Sequence, residues 1–175
     1  MSDTAAGLLL RAYQLVDHAA VRDLVVGINR ELAPAAMRAA FEDYIARSLS
    51  EEIDCIPEYY GARGGGFWVA LDGDRLVGTF GLERMDADAA ELRRMYVARD
   101  RRRSGIARLM LRHAEELCRE AGCRRLTLAT SELQPAAVEL YRRNAYRQVR
   151  EEVSELETNK AIAGLRRFYF DKELR

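Results

Sequence analysis

A strand that passes through a basic, glycine-containing turn into an amphipathic helix constrains this chain more than any other feature. Met95-Tyr96-Val97 is a short apolar run, and Arg101-Arg102-Arg103-Ser104-Gly105-Ile106-Ala107 follows it. Apolar residues then recur at Ile106, Leu109, Met110, Ala114, Leu117, Cys118 and Ala121, the i, i+3, i+4 spacing of one helix face. The first backbone N–H groups of such a helix have no internal partner, and its dipole favours negative charge there. Gly105 lets a ligand approach the backbone with no Cβ in the way. The segment is an anion site, and the guest that suits it is a pyrophosphate.

The basic character is local. Arg99, Arg101, Arg102 and Arg103 fall within five residues, yet Lys+Arg and Asp+Glu each total 28 and the net charge is zero. A neutral chain without aromatic residues interleaved among its arginines does not read as a nucleic-acid module. Lysine is nearly absent, with only Lys160 and Lys172. No apolar run approaches the roughly 20 residues needed to span a bilayer, and no basic segment precedes an apolar one at the N-terminus. Cys55, Cys118 and Cys123 are odd in number and lack C-x-x-C spacing. Cys118 and Cys123 read as packing residues, and with only His18 and His113 available no metal site is expected. The expectation is a cytoplasmic protein with no membrane or nucleic-acid partner, monomeric or homodimeric, forming one domain over residues 1–175.

Around the turn, the chain reads as alternating elements. Leu8–Leu15 suits a first strand, and Asp17 an N-cap for a helix through Asn29. Pro34 opens a second helix with Met37, Phe41, Tyr44 and Ile45 at helical spacing. Residues 50–66 read as a loop, acidic and then glycine-rich. Gly64-Gly65-Gly66 lacks nucleotide-fingerprint spacing and precedes a strand rather than a helix. Phe67–Leu71 and Leu76–Leu82 are strands joined by the turn signal Asp72-Gly73-Asp74. Ala90–Val97 is a strand, Ser104–Ala121 a helix stopped by Gly122, and Leu126–Ala129 a strand. Pro135 opens a helix that Asn144 can close, and Val149–Leu156 and Arg167–Lys172 are final strands. The fold class is α/β, a mixed and mostly antiparallel central sheet flanked by helices. The unit over residues 92–129 is expected to be right-handed and partly parallel.

These residues resemble the GCN5-related N-acetyltransferases (GNAT). That family's pyrophosphate signature, Gln/Arg-x-x-Gly-x-Gly/Ala, is matched by Arg102-Arg103-Ser104-Gly105-Ile106-Ala107. A later family element, a helix with Leu-Tyr and then Gly-Phe, is matched by Gln134-Pro135-Ala136-Ala137-Val138-Glu139-Leu140-Tyr141 followed by Ala145-Tyr146. The hairpin of Phe67–Ala70 and Leu76–Gly78 resembles its central strands. Two departures stand out: Gln134 where the family often has Asn, and Ala145-Tyr146 for Gly-Phe.

The resemblance implies acetyl-CoA as co-substrate. Arg102, Arg103, Ser104, Gly105, Ile106, Ala107 and Arg108 would hold its phosphates. Backbone groups of Met95, Tyr96 and Val97, with Gln134, would hold pantetheine, and a backbone N–H there would stabilise the thioester oxyanion. Tyr141 becomes the candidate acid for the leaving thiolate; a packed aromatic is the plain alternative. Glu91, eleven residues before Arg102, matches the catalytic glutamate of the histone-acetylating branch, and Glu83 is its competitor. Direct attack in a ternary complex is simpler than covalent catalysis here. The acceptor pocket would come from the second helix, residues 50–66 and residues 153–166. The expected function is acetyl transfer to a primary amine, on a small molecule. The alternatives are a protein acetyltransferase acting on an N-terminus or lysine, and a non-catalytic acyl-CoA sensor. Glu51, Glu52, Asp54 and Glu58 would attract a cationic amine or form a solvated loop, the safer reading. Tyr59, Tyr60, Phe67 and Trp68 would line a pocket or pack.

Overall fold

The computed structural model describes residues 7–175. Seven strands form one sheet: β1 (Leu8–Ala12), β2 (Gly66–Asp72), β3 (Arg75–Arg84), β4 (Ala89–Val97), β5 (Arg125–Ser131), β6 (Arg147–Val153) and β7 (Arg166–Glu173), in the order β1-β2-β3-β4-β5-β7-β6. Every neighbouring pair is antiparallel except β4 and β5. That parallel pair is bridged by α4 (Ile106–Glu120), the helix the basic turn leads into. The other helices are α1 (His18–Leu32), α2 (Arg38–Glu51), α3 (Ile56–Gly61) and α5 (Pro135–Arg143).

The sheet is covered on both faces, as the strand side chains dictate. Along β2, Phe67, Val69 and Leu71 point into a cluster with Val21 and Val25 of α1, Ile45 and Leu49 of α2, and Tyr59 and Tyr60 of α3. Ala70 points the other way, into the cluster that holds Met110, Leu111, Ala114 and Cys118 of α4 and Tyr141 of α5. This is the period-two alternation of a strand buried on both sides.

The sequence reading departs from this architecture in three places. Residues 50–66 are not a loop. After α2 ends at Glu51, a 3-10 turn (Ile53–Cys55) leads into α3, and Ile53, Ile56, Tyr59 and Tyr60 are all buried. The acidic letters concealed this, because Glu52 lies inside the protein with no exposed surface. The first strand stops at Ala12 instead of Leu15, since Leu15 and Val16 are exposed in a 3-10 turn. Asp17 occupies the cap position of α1, but its carboxylate turns back to the Gln14 N–H (2.8 Å) and the Arg11 guanidinium (2.7 Å). Other ends shift by one to three residues, as helix and strand termini commonly do.

β4 meets β5 only over Ala89–Leu92 against Arg125–Leu128, and beyond Leu92 the two strands part. On its other edge β4 stays paired with β3 out to Val97, but with a bulge. Gly81 faces Arg93 and Thr79 faces Tyr96, so Arg94 and Met95 stand against the single residue Phe80. Arg94 accommodates the extra residue at φ +50.

Two glycines give a contrasting test of this packing. A Cβ on Gly65 would sit 1.8 Å from the Leu82 carbonyl oxygen, a backbone atom that cannot step aside. Gly65→Ala is expected to destabilise by about 2–3 kcal/mol. Gly27 lies in the exposed face of α1 with open space at its Cβ, so Gly27→Ala is expected to stabilise by about 0.5–1 kcal/mol. Thermal unfolding of the two variants measures the opposite shifts.

Candidate active site

The parting of β4 and β5 opens a cleft of about 500 Å³ between the end of β4, the start of α4 and the helix α5. Every residue expected at the cofactor lines it except Ser104: Met95, Tyr96 and Val97, Arg102, Arg103, Gly105, Ile106, Ala107 and Arg108, and Gln134. Ser104 instead turns its hydroxyl to the Arg101 carbonyl. At the mouth, Arg103 (φ +60) and Gly105 (φ +85) lie in the left-handed region. Gly105 sits at the N-cap of α4, where no side chain caps the helix and an added Cβ would meet only open space. The first N–H groups of α4 therefore face the cleft unclaimed by a capping side chain, which is what a phosphate needs. Arg102 reaches across to Glu31 of α1 (2.7 Å) and donates to the Val97 carbonyl (3.3 Å), tying the turn to both walls.

A second cavity, about 140 Å³, lies along β4 on the other side of Met95 and Tyr96. Both cavities share Leu32, Met95, Tyr96, Gln134, Ala137 and Tyr141, so they adjoin along these residues. Tyr141 stands at the junction. Its ring packs against Tyr146 (centroids 5.7 Å) and Phe170 (5.8 Å). Burial, with the neighbouring Tyr96, pushes its hydroxyl well above the ordinary tyrosine range, so Tyr141 is neutral and keeps its proton at neutral pH.

Glu91 lines this second cavity, and Glu83 does not. Neither is a free carboxylate. Lys160, from the segment between β6 and β7, spans them with its ammonium 2.6 Å from Glu91 and 2.8 Å from Glu83. Glu83 also takes the Arg93 guanidinium. Burial acts to raise the Glu83 carboxyl, but Arg93 and Lys160 outweigh it and hold the group below its ordinary range.

Behind these residues lies a buried network that the letters alone did not announce. Glu52 accepts from Arg93 (2.8 Å), from Arg94 (2.7 Å and 3.1 Å) and from the Tyr60 hydroxyl (2.6 Å). Arg94 also donates to Tyr44 (2.9 Å) and to the Asn159 carbonyl (2.7 Å), and Arg93 donates to Tyr59. Desolvation alone would raise the Glu52 carboxyl; Arg94 and Arg93 more than offset it and the group is held low. Of the aromatic residues expected to line a pocket or pack, Tyr59, Tyr60 and Phe67 are buried, while Trp68 is only partly covered, stacked on Phe80. The one signal in the sequence was Arg93-Arg94, two charges inside an apolar strand. Buried charges require partners, and apart from Glu83 those partners come from more than 30 residues away.

Other nucleophiles are poorly placed. Burial pushes the Cys118 thiol up to about 12, so the thiolate is scarce at neutral pH. Among the described residues, no group of three or more His, Cys, Asp or Glu side chains could hold a metal ion, and no helix is long and apolar enough to cross a membrane.

A sheet split between two parallel strands, with a glycine-bearing helix start at its mouth, is the frame of an acyl-CoA N-acyltransferase fold. Residues 29–146 match the acetyltransferase (GNAT) family, and the chain belongs to it. Among curated proteins it is similar to N-acetyltransferase 8 of Rattus norvegicus, 34% identical over 107 residues, covering 58% of this chain and 48% of that protein. The chain thus spans about half the length of the curated relatives it matches. Among solved structures it resembles a GNAT acetyltransferase from Staphylococcus aureus (TM-score 0.75, 19% identity, 96% of this chain and 99% of that one). It also resembles the PaiA N-acetyltransferase of Thermoplasma acidophilum, solved in complex with coenzyme A (TM-score 0.74, 16% identity, 95% and 98%).

Removing Glu52 would leave two buried guanidinium groups short of their shared anion. Glu52→Ala is expected to cost about 3–5 kcal/mol, read by chemical denaturation. Because Glu52 and Glu83 are held below their ordinary value of 4.5, the stability they contribute is full above that pH and is lost as pH falls further. Acid unfolding of the wild type should therefore begin below about pH 4.5.

Proposed function

We propose that this chain is an acetyl-CoA-dependent N-acetyltransferase, one domain across residues 1–175, whose acceptor is a primary amine on a small molecule. The observation that carries the reading is the junction at Tyr141 of two unlike cavities. The larger, with the phosphate-binding features at its mouth, suits the long coenzyme. The smaller, polar one has room for an amine head group of modest size, which favours a small acceptor over a protein surface.

In this reading the N–H groups at the start of α4, with Arg103 and Arg108, hold the pyrophosphate. Arg102 supports the turn through Glu31. The β4 bulge frees backbone groups near Met95 and Tyr96 from the ladder, and an N–H there polarises the thioester carbonyl. The amine enters beside Glu91, which takes its proton directly or through water. A lysine-like amine has a pKa of about 10 and is mostly protonated at neutral pH, so this step is required. Lys160 contacts both carboxylates, but Glu91 is favoured over Glu83 because it faces the cavity, whereas Glu83 is also engaged by Arg93. Nitrogen attacks the carbonyl carbon and sulfur leaves. Tyr141 hydrogen-bonds the departing sulfur. A thiolate of pKa about 8.5 is a weaker base than tyrosinate, so Tyr141 stabilises it and recovers any proton it lends.

The direct test is thiol release from acetyl-CoA against a panel of amino acids, polyamines, aminoglycosides and peptides. Turnover with a small amine is expected; turnover with peptides alone would move the acceptor to proteins, and coenzyme binding with no turnover would make the chain a sensor. With an acceptor in hand, Tyr141→Phe is expected to lower kcat about 100-fold with little change in KM for acetyl-CoA. Gly105→Val should do the reverse, raising that KM about tenfold or more while kcat at saturation largely survives.

A further inference from the structure

Lys160 stands out because the chain has only two lysines and this one is delivered into the candidate site. The segment that carries it is held by its own hydrogen bonds and by packing. Thr158 and Ala161 exchange backbone hydrogen bonds, the Lys160 N–H bonds the Thr158 hydroxyl (3.0 Å), and the Ser154 N–H bonds the Leu165 carbonyl (3.0 Å). Ile162 and Leu165 pack on Phe41 of α2. Asn159 is clamped through its carbonyl by Arg94 (2.7 Å) and Arg93 (3.3 Å). The result fixes a primary amine on Glu91, in the wall of the cavity that also holds Tyr141. The side chain remains one-third exposed, so it has room to move.

We propose that Lys160 is an internal acetyl acceptor: the site acetylates its own Lys160 Nζ when acetyl-CoA is present and no better amine is. The inference rests on the N-acetyltransferase reading above. The chemistry is that of the acceptor reaction. The Lys160 ammonium gives one proton to Glu91, its nitrogen forms the new bond to the acetyl carbon, and the carbon–sulfur bond breaks. The second nitrogen proton passes to the departing sulfur, so the products are an Nζ-acetyl lysine, CoA thiol and one proton released from Glu91 to solvent. The amide has no positive charge, so Glu91 loses its cation while Glu83 keeps Arg93. Two carboxylates hold the ammonium tightly in the ground state, so the reaction is a slow, single event per chain.

The chain contains its own control. Lys172 is a comparable partly covered lysine, bonded to Glu115 (2.8 Å), and it lines neither cavity. The full-length protein is incubated with isotope-labelled acetyl-CoA without added amine, and peptide mapping by mass spectrometry follows both lysines. The expected result is one acetyl group on Lys160, gained about tenfold or more faster than on Lys172, as positioning beside a base implies. The label at Lys160 should vanish in Lys160→Arg, slow in Tyr141→Phe, and slow when excess desulfo-CoA fills the coenzyme cleft. Equal rates at the two lysines, or a Lys160 rate untouched by desulfo-CoA, would mean chemical acetylation by the thioester and would overturn the proposal. An unlabelled Lys160 in protein that acetylates added amines would overturn it while leaving the proposed function standing. Failure of both labelling and thiol release, with no calorimetric binding of CoA, would sink the underlying reading as well.

Discussion

Adjacent residues of a β-strand point to opposite faces, yet Arg93 and Arg94 both grip the Glu52 carboxylate, and the site depends on that exception. The exception is possible because Arg94 sits at φ +50, a conformation that costs a non-glycine residue about 1–2 kcal/mol. The strained residue is held from several sides: by two bonds to Glu52, by Tyr44, by the Asn159 carbonyl, and by the Thr79 hydroxyl donating to its own carbonyl (2.9 Å). Strain of this kind persists where the surroundings over-determine it, and such places tend to be functional. Here the bulge lies just where β4 has left β5, so it shapes the wall that both cavities share.

The same network decides the electrostatics beside the smaller cavity. Arg93, Arg94 and Lys160 are set against Glu52, Glu83 and Glu91. The cluster is balanced in charge, and each cation has a hydrogen-bonded anion. Burying such a set contributes little net stability compared with an apolar core, because desolvation consumes most of the Coulombic gain. What it does contribute is geometry. The guanidinium forks fix α2, β4 and the segment before β7 to one another, and Lys160 closes the ring on the cavity side. Any acceptor amine that approaches Glu91 must take over a contact that an internal ammonium already makes.

That the residues expected at the coenzyme would share one cleft was legible in the sequence because most of them are close in the chain. Arg102 to Ala107 is one continuous turn, and Met95 to Val97 precedes it directly; the structure brings both into one cleft together with Tyr141 and Gln134. Periodicity likewise marked α4, whose alternating faces are local. Around the smaller cavity, Glu91, the second helix and the 153–166 segment were legible, but the buried network behind them was not. Glu52, Arg94 and Asn159 meet only in three dimensions, across separations of 42 to 107 positions. A glutamate in an acidic stretch reads as solvated, and nothing local reveals that it has no exposed surface. The same blindness turned Ile53–Gly61 into a loop, since its buried side of Ile53, Ile56, Tyr59 and Tyr60 is broken among acidic neighbours.

The two departures from the family pattern are accommodated differently. Ala145 occupies the family's glycine position at φ +65, which explains why glycine is usual there: the backbone is left-handed and an alanine Cβ is tolerated at some strain. Tyr146 keeps the ring against Tyr141, and its added hydroxyl donates to the buried Glu115 (3.1 Å), which Lys172 neutralises (2.8 Å). A polar atom introduced into the core therefore arrives with an acceptor, and the acceptor with a cation. Gln134 likewise finds a partner close by. The Thr130 hydroxyl donates to its side-chain oxygen (3.2 Å), which fixes the amide in the lining of both cavities. The longer amide that replaces the usual asparagine is thus held by Thr130 in the wall that the two cavities share.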